Sequence, residues 1–341
     1  MIALSVLDQV PFFRGSTAHE AISESIALAQ EVERLGYQRF WIAEHHSMGH
    51  RACASPEILA AVIAAHTARM RVGSGGVMLS NYSPFKVAET FRLLHTLFPG
   101  RIDLGIGRGA GANAPALDAL NPSHKAGETD HYSQQVRDLV GFVQNNLPET
   151  HPYYGAWTMP DGPGSPEVWI LGSGESSMQV AADQGLPFCF AQFIHSKARP
   201  HIIAGYRQHF RPSSSLPAPR ASLAVRVLCV ENAEQAQQLA RSFWLLCMRE
   251  YKGPYFLHAT ESAARAASMA EALAYTYTEQ EQAFIHERQL MMIAGDPLQV
   301  KQQLTDLAAL YGVEELVILT ICPDFNARLR SYQLLAEVFD L

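Results

Sequence analysis

Residues 101–109 read Arg101-Ile102-Asp103-Leu104-Gly105-Ile106-Gly107-Arg108-Gly109, a short apolar run that passes directly into a turn of glycine and arginine. Two runs of the same kind precede it. Val72 to Leu79 contains Gly73-Ser74-Gly75-Gly76, and Arg39 to Glu44 leads into Glu44-His45-His46. Each is apolar, ends in glycines or histidines, and is followed by a segment with helical spacing, which predicts parallel strands joined by helices. The ends of parallel strands gather on one face of the sheet. That places a base, a cation and backbone without side chains in one pocket.

The alternation holds in both directions from this stretch. Further strands are predicted over 2–7, 168–171, 187–192, 223–230 and 316–321, making eight in all. His19 to Leu35 has apolar residues at helical spacing and stops at Gly36. Ser55-Pro56 and Asp296-Pro297 open helices, with proline in the first turn, and Tyr132 to Leu147 reads as helical. Eight β/α units predict an α/β fold of the (β/α)8 TIM-barrel kind with insertions, because closure removes edge strands and lets every strand be apolar on both faces. The chain reads as one domain over 1–341. A proline- and glycine-rich excursion loop lies at about 148–166, and an irregular, alanine-rich insertion at about 251–290 is a candidate lid.

With 341 residues, 48 % hydrophobic and 17 % charged, the chain has the composition of an ordinary globular protein. A formal net charge of −7 argues against nucleic-acid or anionic-membrane partners. No apolar run is long enough for a transmembrane helix, and Met1 to Asp8 reads as a buried strand and not a signal peptide. The five cysteines, Cys53, Cys189, Cys229, Cys247 and Cys322, are scattered and fit reduced thiols of a cytoplasmic protein.

Four motifs carry chemistry. Glycine adds no packing to a strand, so Gly73 to Gly76 mark either a flat ligand lying on the backbone or a crowded barrel interior. Arg108, at a strand end, is either an anion fork or a surface arginine after a turn. Gly172-Ser173-Gly174-Glu175-Ser176-Ser177 opens a helix, where free N–H groups and hydroxyls make a phosphate site or a simple cap. In Glu44-His45-His46, alternation sends His45 to the face opposite its neighbours. His45 is a candidate acid/base, against a structural role, and no further ligands complete a metal site. His50, His66, His95, His124 and His131 read as bystanders.

Taken in order, these motifs resemble the bacterial-luciferase-like flavin monooxygenases. The resemblance runs from Leu4-Ser5-Val6-Leu7-Asp8 through Leu35 to His46, Val72 to Leu79, Pro99 to Arg108, Leu171-Gly172-Ser173, Gly185 to Phe188 and Gly295-Asp296-Pro297 to Arg328-Leu329-Arg330-Ser331-Tyr332. It implies a TIM barrel that uses FMN, supplied reduced by a separate flavin reductase, in a homodimer. It further implies a cis peptide at Gly75-Gly76 beneath the flavin ring. Arg108 and Ser177 would hold the FMN phosphate in a loop that includes Gly172, Ser173 and Ser176, with His45 as the active-site histidine. The implied reaction oxygenates a small organic substrate with dioxygen through a flavin C(4a)-hydroperoxide, in a dry pocket. The family's reactive cysteine is replaced by Gly107, its usual proline after Leu79 by Ser80, and its Ala-Pro-Gly after the arginine by Gly109-Ala110-Gly111. A non-catalytic FMN-binding homologue and a deazaflavin-dependent dehydrogenase of the same superfamily are the alternatives.

Overall fold

A computed structural model describes residues 2–109, 111–122, 131–252, 267–288 and 291–341. Its strands are β1 (Ala3–Asp8), β2 (Arg39–Ile42), β3 (Arg71–Met78), β4 (Ile102–Gly107), β5 (Glu167–Gly172), β6 (Phe188–Ala191), β7 (Ala221–Cys229), β8 (Ile293–Gly295) and β9 (Glu315–Leu319). All pairings are parallel. β1 to β7 follow one another, β7 pairs with β9 and β9 with β1, so eight strands close a barrel. These are the eight strands the sequence predicts. The ninth, β8, pairs with the outer end of β7 at Val227 to Cys229, beyond the part of β7 that β6 and β9 occupy.

The helices are α1 (Ala18–Leu35), α2 (Pro56–His66), α3 (Pro84–Leu97), α4 (Ala114–Leu120), α5 (Tyr132–Gln144), α6 (Glu175–Gln184), α7 (Pro200–His209), α8 (Ala233–Lys252), α9 (Met269–Ala274), α10 (Glu279–His286), α11 (Pro297–Tyr311) and α12 (Phe325–Phe339). Local signals set most boundaries. Thr17 and Glu20 form a reciprocal capping box on α1, and Gly36 ends that helix at φ +96. Asp296 caps α11 before Pro297. Ser55 occupies the cap position of α2, but its side chain makes no capping bond. Helix α5 stops at Gln144 instead of Leu147. Asn145 turns left-handed there, and Leu147 folds back so closely that a Cβ on Gly141 would lie 2.4 Å from it.

The 148–166 excursion has no regular elements but is pinned. Thr158 is fully buried and bonds Asn145 and Phe142, while buried Arg92 of α3 donates to the carbonyls of Val143 and Pro160. Of the candidate lid, residues 253–266 and 289–290 lie outside the described residues. The rest packs Ala267 and Ala272 on Leu245 and Met248 of α8, and Glu271 pairs with Arg14 in the loop after β1. His124 also lies outside the described residues, as does Ala110 of the turn after Arg108.

Side chains that point into the barrel fall into layers, because alternate strand residues face inward. The layer at the strand starts is ionic. Arg39 donates to Asp103 at 2.8 Å and to Glu315 at 2.6 Å, and Ser5 also reaches Glu315 at 2.6 Å. Arg71 grips the second oxygen of Asp103 at 2.8 Å, and Arg220 pairs with Glu167. Above them Trp41 and Trp169 meet edge to face at 5.2 Å, and their indole N–H groups donate to Asp103 and Glu167. The guanidiniums of Arg39 and Arg220 each lie over the Trp169 ring, 4.8 Å from its centroid. This end of the barrel is closed.

Candidate active site

The opposite end is open. A cavity of about 350 Å³ lies over the ends of β3 to β6. All seven residues expected to bind a cofactor, Gly75, Gly76, Arg108, Gly172, Ser173, Ser176 and Ser177, line it. Met78, Tyr132, Leu171, Ala191 and Ile194, to which sequence reasoning gave no site role, also line it. The volume falls in the range of small-molecule pockets.

The glycines divide into two groups. A Cβ on Gly73 would sit 1.9 Å from the Asp103 carbonyl, and one on Gly105 2.2 Å from that of Ser74. On Gly75 it would meet Leu7 at 2.5 Å, and on Gly76 the Gly105 carbonyl at 2.7 Å. Crowding by neighbouring strands therefore requires these four glycines. The Gly75–Gly76 peptide is cis, and its bare face forms part of the cavity wall. A Cβ on Gly107 would meet the Met78 side chain at 3.6 Å and the Leu171 carbonyl at 3.8 Å, and one on Gly109 the Met78 side chain at 3.9 Å; these are ordinary contacts, so packing does not require glycine there. The crowded-interior reading thus accounts for β3, and a smooth cavity wall is its by-product.

The other wall is an anion cradle. Helix α6 begins at Gly174, which has no side chain to cap the first turn. Its N-terminal N–H groups face the end of the cavity lined by Ser176 and Ser177. Arg108 crosses from β4 and donates to Ser176 Oγ at 3.1 Å. Ser177 donates to the Gly174 carbonyl at 2.9 Å and presses on Gly172, where a Cβ would fall 1.9 Å from its Oγ. His195 fixes the loop from below, with Nε2 2.6 Å from the Ser173 carbonyl and its ring stacked on Phe190.

His45 follows Trp41 and Ala43 along β2 and its extension; both of those side chains belong to the barrel interior. Its Nδ1 is buried without a hydrogen-bond partner. Burial, reinforced by Arg51, His50 and His46, pushes its pKa down to about 3, so the imidazole is neutral at ordinary pH. Glu44 and His46 turn the other way and form a cluster. The Glu44 carboxylate lies 2.7 Å from His46 Nε2, accepts the Tyr82 hydroxyl at 2.9 Å and accepts the Met78 N–H at 3.0 Å. Burial, then the Glu44 charge, holds the Tyr82 hydroxyl above its usual pKa. Glu44 thus braces the strand end that carries Met78. The adjacent Glu-His-His letters suggested a base, but Tyr82 is 38 residues from Glu44 and only the fold reveals it. No group of three or more metal-ligating side chains occurs among the described residues. No helix among them is long and apolar enough to cross a membrane.

The chain resembles known proteins over its whole length. YceB of Bacillus subtilis strain 168 is 42 % identical, covering 99 % of this chain and 100 % of that protein. N-acetyl-S-alkylcysteine monooxygenase of the same organism is 33 % identical, over 99 % of this chain and 98 % of that one. The crystal structure of apo-MsnO8 superimposes with a TM-score of 0.89 at 37 % identity, covering 100 % of this chain and 99 % of that one. Residues 3–314 match the family model described as luciferase-like monooxygenase. A closed parallel barrel, a glycine-walled cavity at its open end and full-length relatives agree: the chain belongs to the luciferase-like monooxygenase family.

Proposed function

We propose that this protein is an FMN-dependent monooxygenase that receives reduced FMN from a separate flavin reductase and oxygenates a small organic molecule. One observation carries the reading. A single cavity joins an anion cradle at Arg108, Ser176 and the start of α6 to a wall of bare backbone at Gly75–Gly76. The residues fit the group: the cradle suits a phosphate, and a flat ring can lie on peptide planes where crowding forbids side chains. Bound reduced FMN supplies the electrons that activate dioxygen. The chain's own residues do the rest. Arg108 and Ser176 hold the anionic end, with Ser173, Ser177 and Gly172 shaping the loop. His45 stands outside the residues that line the cavity; its neutral imidazole, with Nδ1 unpartnered, would take or give a single hydrogen bond to a group that reaches past Gly75–Gly76.

We also infer a homodimer. Ile58 on α2 and Leu93 and Leu97 on α3 are exposed apolar side chains on helices that follow early strands, which supports an interface there. Light scattering that returns a monomer mass at micromolar concentration would remove this part alone.

The test is titration with FMN and with a deazaflavin cofactor, followed by anaerobic loading of reduced FMN and mixing with oxygen. FMN should bind in the micromolar range or tighter. An N-acetyl-S-alkylcysteine, the substrate class in the name of one relative, is the first substrate to add. It should divert oxygen from hydrogen peroxide to product. Preference for the deazaflavin moves the chain to a dehydrogenase. FMN binding with re-oxidation kinetics identical to those of free flavin leaves a non-catalytic binder.

A further inference from the structure

Directly after β1 the backbone does something unusual. Val10 is a β-branched residue at φ +46, a conformation that such side chains rarely adopt. Its N–H is held by Asp8 Oδ1 at 2.8 Å. Asp8 is itself fully buried, paired with fully buried Arg328 of α12 at 2.6 Å, and bonded by Ser25 of α1. The Val10 carbonyl accepts the Ala52 N–H at 3.0 Å. A strained valine, a buried ion pair and two helices thus fix three residues of chain.

The middle residue of the three is Gln9. Asp8 faces outward to α1 and α12, and Val10 packs in the apolar layer between barrel and helices. Gln9, between them, takes the inward column above Ser5 and Leu7. Leu7 is the side chain that crowds Gly75. Gln9 is therefore one step nearer the open mouth than the contact beneath the Gly75–Gly76 peptide. It is 7 % exposed, and its side-chain Oε1 is buried without a hydrogen-bond partner. On the neighbouring strand the register that pairs Asp8 with Ile42 sets small Ala43 beside Gln9, and His45, two residues further out, has its Nδ1 in the same state. Buried polar atoms are nearly always satisfied. Two such atoms on adjacent strands at the open end, one of them rigidly positioned at the expense of backbone strain, suit a polar partner.

We propose that Gln9 contacts the cofactor, its side-chain carbonyl accepting a hydrogen bond from the ring imide N–H of a flavin seated on Gly75–Gly76. This rests on the FMN reading above. The cradle at β4 and β5 holds the anionic end, so the ring extends across β3 toward β2 and β1. A flavin ring has one hydrocarbon edge and one edge of carbonyls and N–H, and the polar edge suits the wall of Gln9 and His45. The terminal amide turns about a soft torsion, so the carbonyl needs little rearrangement to meet its donor.

The test compares wild type with Gln9→Leu, which keeps the bulk and deletes the carbonyl. FMN affinity, read by quenching of flavin fluorescence, should fall about tenfold. In the absence of flavin the variant should melt about 2 °C higher, because an unsatisfied polar atom has been removed. N3-methyl-FMN, whose imide donor is blocked, should bind wild type about tenfold more weakly than FMN. It should bind the two proteins alike. The wild-type comparison of the two flavins needs no variant and stands if Gln9→Leu fails to fold. Wild type that binds FMN and N3-methyl-FMN equally overturns the assignment of Gln9 and leaves the FMN reading intact. So does unchanged FMN affinity in Gln9→Leu, or a fall in its melting temperature without flavin. Wild type that binds no FMN overturns both.

Discussion

The two mouths of the barrel are built from opposite materials. At the strand starts, Arg39, Arg71, Asp103, Glu167, Arg220 and Glu315 interlock around two tryptophans, and the carboxylates and indole N–H groups find partners inside the layer, although Arg220 Nε is buried without one. At the strand ends the cavity wall is glycine, serine and one arginine with a few apolar side chains such as Met78 and Ile194, and outside that lining Gln9 and His45 leave buried polar atoms unmatched. A polar layer whose charges are largely paired closes and rigidifies, whereas buried polar atoms beside a cavity suit a ligand. The difference implies that substitutions at the two ends should fail in different ways.

The largest effect is expected at the closed end. Asp103→Ala leaves buried Arg39 and half-buried Arg71 without their shared acid and should cost about 3–5 kcal/mol in urea unfolding. FMN affinity of the fraction still folded should be unchanged. A large loss of affinity without a loss of stability would break the division between the ends. Next come the glycines. Gly73→Ala drives a Cβ into the Asp103 carbonyl and should destabilise by about 2–3 kcal/mol. Gly107→Ala meets nothing closer than the Met78 methyl at 3.6 Å, so it should unfold like wild type yet weaken FMN binding by narrowing the cavity. Third, Arg108→Ala removes an exposed side chain. Thermal unfolding should move little, while FMN affinity falls about ten- to hundredfold, as for loss of a hydrogen bond to a charged group.

A last comparison separates the ends by pH. His45 is held at about 3 against an ordinary 6.5, so the unfolded chain takes up a proton that the folded chain refuses. Its contribution is therefore lost as pH falls from about 6.5 toward 3. Burial pushes Glu167 up, but its bonds to Arg220 and Trp169 outweigh that and hold it below its ordinary 4.5. Its stabilisation is present above pH 4.5 and lost only below it. Acid unfolding of His45→Gln should flatten the upper part of the curve, and Glu167→Gln only the lower part. A single shared window for both would contradict the assignment.

The open end was legible because its letters are improbable in strands. Glycine runs and histidines at the ends of apolar segments have no packing reason within one strand, so they point to something beyond it. The closed end was hidden by the same logic reversed. Arg39, Arg71, Asp103, Glu167 and Glu315 each stand at or beside a strand start, where a charge ordinarily reads as solvated. Only barrel closure turns five separate openings into one layer. Tyr82 and Gln9 were unreadable for a different reason. Their meaning lies in partners across the fold, or in lacking them, and no local spacing encodes that. Helix α4 carried a cue in Asn113-Ala114-Pro115, where Asn113 does cap at 3.1 Å. Strand β8, at three residues, is too short for any period to register.

That short strand has an evolutionary reach. β7 first serves the barrel through β6 and β9, then offers its last residues to β8, and the Val230 N–H closes the pair on the Gly295 carbonyl at 3.1 Å. The chain leaving the ring and the chain returning to it are thereby fastened at the root. The closure entropy of a flexible excursion grows only with the logarithm of its length, about 0.6 kcal/mol for each doubling. Insertions beyond α8, whose Ala236, Ala240, Phe243 and Leu246 pack in the core, should therefore carry little thermodynamic penalty, altering what reaches the mouth while the cylinder beneath stays the same.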